Sequence, residues 1–339
     1  ESYVAGGGYD RLDLNLFEPS GQEEGDCIIE TGIYIKDDSL HGDSSSVVLP
    51  PMVASWAHSC NEYLVGHKEW NLWYHRPMRI IQTAVGPNQV PLTGYLQEMT
   101  NDGGIRNIRP SVMILPGGAY RYRSARERDS VAMYFLAQSY NVFILDYSVD
   151  AEAGSLNPLL EASAALIKIR EHALAWMCDP TRVAVIGFSA GGHLAASIGI
   201  LHDHPRVTSV QKIIDQNNRP DALILCYPVI NGHRESLDLV SGGDEEIREL
   251  MMLDRHVSAS STPAFIWHTM TDPAVPVENA LDLIVAYRKA GVACEAHLFE
   301  SGGHGLSMCT EEVGTPHPGA HQWVALATAW LNTRFHHTL

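Results

Sequence analysis

At 339 residues, 45% hydrophobic and 8% aromatic, the chain can bury one large core or two moderate ones, which excludes a disordered protein. A formal charge of -17 with no cluster of Lys and Arg gives nothing to neutralise phosphates, so no nucleic-acid partner is expected. No run approaches the roughly 18 apolar residues of a membrane span and nothing near Glu1 reads as a signal peptide, so a cytoplasmic protein with no membrane partner is expected. The chain does not begin with Met, which leaves a removed leader open.

Residues 1–76 are rich in Gly, Ser, Asp and turn residues, yet carry Trp56, Tyr63, Trp70, Trp73 and Tyr74. Aromatic residues at that density imply packing, so this segment is read as an N-terminal extension docked on a domain spanning 77–339. Residues 78–99 read as two antiparallel strands joined by the turn "GPNQ". From about residue 110, short apolar runs alternate with amphipathic ones: "SVMILP", then "VAMYFLAQ", "NVFILDY" and "NPLLEASAALIKIREHALAWM". In the last, Leu159, Ala162, Leu166, Ile169, Ala173 and Trp176 recur at helical spacing. "RVAVIGF" precedes "AGGHLAASIGI", "DALILCYPVI" precedes a long polar loop over 231–261, and "TPAFIWHT" precedes "VENALDLIVAYRKAG". "CEAHLFE" then precedes a closing helix around "HQWVALATAWL". Near-continuous apolar strands separated by helices predict an α/β fold with a mostly parallel, doubly wound sheet, approached through the antiparallel strands of 78–99.

The six cysteines follow no repeated spacing and include no CxxC, so free thiols are expected in place of a disulfide framework or a zinc site. His202 and His204 in "HDHP" read as turn chemistry in a solvated loop. No metal and no cofactor are expected.

A serine hydroxyl is a poor nucleophile near neutral pH and needs a base to take its proton and an acid to orient that base. "GFSAG" matches G-x-S-x-G around Ser189, with a buried-strand run before it and a helix opening after it, the setting in which a sharp turn lifts the serine above the sheet. Asp272 falls just past a later strand run, and His304 past the next, in a Gly-rich loop. The order Ser189, Asp272, His304 is that of the α/β-hydrolase arrangement. His193, His268 and His297 read as core or surface histidines, and Glu278, the alternative acid, stands at a helix start. "PGGAY" follows a buried strand; Gly117, Gly118 and Ala119 lie where backbone N–H groups would bind an oxyanion, with Ala190 supplying the other donor.

"LPGGAYRYRSARERD", "YNVFILDYSV", "DPTRVAVIGFSAGGHLAAS", "RPDALILCYPVI", "TPAFIWHTMTDPAVPVENAL" and "FESGGHGLS" together resemble the α/β-hydrolase carboxylesterases, and among them the bacterial acetyl esterases and acetylxylan esterases. The resemblance covers most of residues 78–339. It implies a cofactor-free serine esterase acting on short acyl esters, with Ser189 as nucleophile, Asp272 as acid and His304 as base. Ala119 stands where the family's oxyanion loop commonly has glycine, and residues 1–76 exceed the family core.

Tyr120 and Tyr122 beside the oxyanion loop suggest a small acyl pocket, and Asn231, His233 and Arg234 are candidate contacts to sugar hydroxyls. The expected partner is a small-molecule or oligosaccharide ester; self-association into a homo-oligomer is left open. Two rival readings stand beside the esterase. One is a prolyl-oligopeptidase-like peptidase, disfavoured because about 76 residues cannot build a propeller of roughly 40–50 residues per blade. The other is a non-catalytic protein on the same fold.

Overall fold

The computed structural model describes residues 27–28, 78–98, 107–231 and 234–337. The chain divides into two units, 1–24 with 30–75 and 25–29 with 76–339, and all the described residues lie in the second. Apart from 27–28, the expected docking of residues 1–76 lies outside the described residues.

Nine strands form one sheet among these residues: β1 (Cys27–Ile28), β2 (Arg79–Val85), β3 (Val90–Leu96), β4 (Arg109–Leu115), β5 (Asn141–Leu145), β6 (Cys178–Phe188), β7 (Ala222–Cys226), β8 (Ala264–Thr269) and β9 (Cys294–Phe299). The spatial order is β1-β2-β3-β5-β4-β6-β7-β8-β9. The strands from β1 to β3, and β3 against β5, pair antiparallel, and every later pair is parallel. β2 and β3 alternate buried and exposed positions, as expected of a sheet margin, and the turn between them is Gly86 to Gln89.

The inner strands carry continuous apolar stretches, such as 112–115 in β4 and 183–186 in β6, because both faces are covered there. Along β4, Met113 and Leu115 enter one core while Val112 and Ile114 enter the other. β6 does the same with Val183 and Val185 against Ala184 and Ile186. The first core is closed by α2 (Asn157–Glu171), α3 (Ala190–Leu201) and α4 (Glu278–Ala290), through Leu166, Leu194 and Leu283. α1 (Asp129–Ala137) and α5 (Trp323–Phe335) close the second through Phe135 and Leu331. This is the doubly wound α/β-hydrolase arrangement. No helix among the described residues is long and apolar enough to cross a membrane.

Two expectations are corrected. The helix predicted through Trp176 ends at Glu171; Ala173 and Trp176 stay buried, but in the turns that feed β6, with Trp176 stacked on His172. The polar loop of 231–261 folds into two helices, one over Arg234–Ser241 and one over Glu245–Leu250. The second is capped by Asp244, whose Oδ1 accepts the N–H groups of Glu246 and Ile247 at 2.9 and 3.1 Å. Leu237, Val240, Ile247 and Leu250 anchor these helices on the core, a helical spacing hidden among charged residues.

The chain leaves β4 for β5 in one direction and β6 for β7 in the other, which opens a crevice beyond the carboxyl ends of β4 and β6. Gly117 and Ser189 lie at its two sides. Because Leu166 is fully buried at the centre of α2, Leu166→Ala is expected to cost about 2–5 kcal/mol. Urea denaturation followed by circular dichroism measures it; an unchanged midpoint would contradict this packing.

Candidate active site

β6 ends at Phe188 and α3 begins at Ala190, so Ser189 alone makes the turn, with φ +53° and ψ -117°. That left-handed conformation costs a non-glycine residue about 1–2 kcal/mol. The surroundings impose it. A Cβ at position 187 would lie 2.1 Å from the carbonyl oxygen of Gly191, and one at 191 would lie 2.1 Å from that of Leu115, so only glycine fits on either side of the turn. The Ser189 N–H donates to the Cys226 carbonyl at 2.9 Å, and the Ser189 carbonyl accepts the N–H groups of His193 and Val229 at 3.0 and 3.2 Å. The backbone is thus held from both sides, and the hydroxyl projects from the turn.

The Ser189 hydroxyl donates to His304 Nε2 at 2.7 Å, and His304 Nδ1 donates to Asp272 Oδ2 at 2.7 Å. Asp272 follows β8 and His304 follows β9, so residues 115 and 32 positions apart meet through the order of the sheet. The other Asp272 oxygen accepts the N–H groups of Ala274 and Val275 at 2.9 and 3.0 Å. Burial would raise the Asp272 carboxyl pKa, but the His304 hydrogen bond, the His304 charge and these two N–H groups together hold it below the usual range. An ionised Asp272 can only accept, which puts the imidazole proton on Nδ1 and leaves Nε2 as the acceptor for Ser189.

Beyond β4 the backbone runs through Gly118, Ala119 and Tyr120 with φ +129°, +54° and +59°. A Cβ at Gly118 would lie 2.1 Å from the Tyr122 carbonyl oxygen. The N–H groups of Gly118, Ala119 and Ala190 donate to no acceptor among the described residues, as an oxyanion site requires. Gly117 differs from expectation: its N–H donates to Glu127 Oε2 at 2.7 Å and is not available.

Tyr120, expected to contact substrate, is fully buried; its hydroxyl donates to His193 Nδ1 at 2.9 Å, and its chain turns inward at the left-handed stretch. Tyr122 is the exposed ring, at 61%. Asn231 lies at the start of the 231–261 segment with its side-chain N–H on Asp282 Oδ2 at 3.0 Å, while His233 lies outside the described residues. Arg121 forms an ion pair with Glu235, which brings the helix of Arg234–Ser241 beside the oxyanion loop.

His193 is a core histidine whose Nε2 donates to the Met251 carbonyl at 3.0 Å, and burial lowers its pKa to about 4. His268 and His297 sit within β8 and β9, and Glu278 opens α4. His202 is buried at the end of α3, where a solvated loop was expected; His204 caps the following turn by accepting the Arg206 N–H at 3.3 Å. Among the described residues no group of three His, Cys, Asp or Glu is arranged to hold a metal ion, and Cys178, Cys226, Cys294 and Cys309 are free thiols. Sequence reasoning missed Glu127 and Tyr227, buried beside the site. Glu127 stands among arginines in "RSARERD", where nothing signals a buried carboxyl.

The BD-FAE family profile matches residues 101–286. The chain is 31% identical over 213 residues to an endo-1,4-beta-xylanase B of Butyrivibrio fibrisolvens, covering 60% of this chain and 33% of that protein. It is 26% identical over 213 residues to an acetylxylan esterase of Xylanibacter ruminicola, covering 59% and 42%. The chain thus spans a third to about half of the length of the curated relatives it matches. Among solved structures it resembles an acetyl ester-xyloside bifunctional hydrolase from Caldicellulosiruptor lactoaceticus, with 29% identity and a TM-score of 0.63 over 75% of this chain and 90% of that one. A carboxylesterase from Lactobacillus plantarum aligns with 26% identity and a TM-score of 0.69 over 77% and 98%.

Because the folded-state pKa of Asp272 is depressed, its carboxylate contributes stability that is present above the unfolded value of about 3.9 and lost as pH falls through the folded one. The melting-temperature gap between the native chain and Asp272→Asn is therefore expected to close in acid below about pH 4. A gap that stays constant into strong acid would contradict this. For His193, NMR titration is expected to show a neutral ring through about pH 5, because protonation must take place in a dry core.

Proposed function

The chain belongs to the BD-FAE family of α/β hydrolases, and from that membership we propose that it is a serine carboxylesterase that removes short acyl groups, acetyl foremost, from carbohydrate esters through an acyl-enzyme. One observation carries the reading: the continuous hydrogen-bond chain from Ser189 Oγ through His304 to a buried Asp272.

In the proposed mechanism His304 Nε2 takes the hydroxyl proton as Ser189 Oγ attacks the ester carbonyl. Negative charge gathers on the carbonyl oxygen, and the N–H groups of Gly118, Ala119 and Ala190 receive it without reorganising. His304 then returns its proton to the departing alcohol, leaving acylated Ser189. Water deprotonated by the same imidazole then attacks the acyl carbon, the bond to Ser189 Oγ breaks as His304 returns the proton to Oγ, and the acid leaves. Asp272 stays ionised throughout and stabilises the imidazolium.

The substrate proposal is supported by relatives named for acetylxylan and for acetyl ester-xyloside hydrolysis. The Tyr120 and Tyr147 rings, packed edge to face beneath the oxyanion loop, are consistent with a shallow acyl site. Asn231 keeps a second amide N–H and its carbonyl oxygen for sugar hydroxyls, and His233 is its proposed neighbour in that role.

Ser189→Ala and His304→Ala are each expected to lower kcat by about three or more powers of ten, and the double variant little further, because the members act as a unit. Steady-state hydrolysis of nitrophenyl acetate measures this; near-normal turnover by Ser189→Ala would end the assignment. Across a panel of esters, kcat/KM is expected to be highest for acetyl esters of nitrophenol and of xylose-type sugars, lower for butyryl and minimal for octanoyl esters and peptide amides, a misfitted methylene costing about 1–3 kcal/mol. Selectivity rising toward octanoyl, or cleavage after proline at the acetyl-ester rate, would overturn the substrate proposal.

A further inference from the structure

One buried carboxyl links the loop that carries the oxyanion donors to the loop that carries His304. Glu127, just before α1, is 2% exposed. Its Oε2 accepts the Gly117 N–H at 2.7 Å and its Oε1 accepts the Tyr227 hydroxyl at 2.7 Å. The same hydroxyl accepts the N–H of Ser307 at 2.8 Å, three residues past His304, so its own hydrogen is committed to Glu127. Ser307 is fixed further by its hydroxyl donating to the Arg126 carbonyl at 2.6 Å and by its carbonyl accepting the Trp323 indole N–H at 3.0 Å. The Tyr227 ring also meets the His304 ring edge to face, with centroids 5.1 Å apart.

Position 117 lies against the nucleophile itself: a Cβ there would come within 3.0 Å of Ser189 Cβ. A buried carboxyl is costly unless every oxygen is satisfied, and an apolar side chain would anchor a loop at lower cost. Here both oxygens face donors: the Gly117 N–H of the oxyanion loop, and the Tyr227 hydroxyl, which in turn holds the histidine loop through Ser307. Burial pushes the Glu127 pKa up, while the Tyr227 hydroxyl, the Gly117 N–H and the charges of His304 and Arg126 pull it back. By taking the Gly117 N–H, the carboxyl also fixes the peptide plane from which Gly118 and Ala119 continue.

We propose that Glu127 and Tyr227 are positioning residues that hold the oxyanion loop and the histidine loop in one register, so that the Gly118 and Ala119 N–H groups face the carbonyl oxygen while His304 meets Ser189. The inference rests on the serine-esterase reading. Its consequence is specific: the link serves the transition state, in which both loops act together, and not the binding of substrate.

The test is Glu127→Gln beside Tyr227→Phe. An amide offers one acceptor where the carboxylate offers two, so either Gly117 or Tyr227 then faces an NH2 group. For Glu127→Gln, kcat on nitrophenyl acetate is expected to fall about 10- to 100-fold with KM within about twofold, and affinity for a boronic-acid transition-state analogue to fall in the same ratio as kcat/KM. Tyr227→Phe, which removes the hydroxyl bonded to both Glu127 Oε1 and the Ser307 N–H but leaves Gly117 on Glu127 Oε2, is expected to show a smaller loss of kcat at the same KM. Melting temperatures and circular dichroism establish that each variant is folded. Folded variants with kcat within about twofold of the native chain would overturn the proposal, as would losses confined to KM. Should Glu127→Gln fail to fold, Tyr227→Phe decides by the same criterion. Ser189→Ala measured in parallel separates the failures: turnover by that variant removes the esterase reading, whereas its inactivity beside fully active Glu127→Gln and Tyr227→Phe removes only this inference.

Discussion

Helix α3 begins so close to the ends of β4 and β6 that no side-chain carbon fits at position 187 or 191, where carbonyl oxygens of Gly191 and Leu115 stand 2.1 Å from the places a Cβ would occupy. This close approach forces the chain to turn within one residue, and Ser189 accepts a left-handed φ as the result. Everything else at the site is arranged around that turn. The hydroxyl projects into the crevice where the strand order reverses, Ala190 at the start of α3 presents an N–H with no acceptor among the described residues, and the loop after β4 lies within reach of the same point. Strain at Ser189 is offset by three backbone hydrogen bonds to it and by the two packed cores on either face of the sheet.

Two buried carboxyls flank His304 and differ in their surroundings. Both are desolvated, but Asp272 gathers the imidazole hydrogen bond and charge together with two backbone N–H groups, and its pKa falls below the usual range. Glu127 has one backbone N–H and one phenol hydroxyl, and for it desolvation wins. The first carboxyl is suited to stabilise an imidazolium, the second to hold loops. His193 shows the third outcome. Enclosed between the Tyr120 hydroxyl and the Met251 carbonyl, with burial lowering its pKa to about 4, it stays neutral.

The doubly wound sheet and the Ser189, Asp272 and His304 constellation are legible in the sequence because both rest on local signals. Continuous apolar runs such as "RVAVI" mark strands covered on both faces, and Ser189 and Asp272 fall just beyond two of them, while His304 follows the half-exposed edge strand β9. The parts that were not legible depend on contacts between distant segments. Tyr120 follows the oxyanion loop in sequence, yet three successive positive φ values turn it into the core, and sequence adjacency is no guide to such a reversal. Gly117 and Gly118 are indistinguishable in "PGGAY"; only Glu127, ten residues on, determines which N–H is left free. The helices over 234–250 were hidden by the charged residues that interrupt their five core-packed apolar ones, Leu237, Leu239, Val240, Ile247 and Leu250.

The central claim is that Ser189 carries the acyl group during turnover. Acid quenching of the native chain during hydrolysis of an acetyl ester, followed by peptide mass spectrometry, tests it directly. The account predicts a single acetylated peptide, modified at Ser189, that disappears when the substrate is exhausted and does not form in Ser189→Ala. Acetyl found on another residue, or steady turnover with no acylated peptide at any stage, would contradict it.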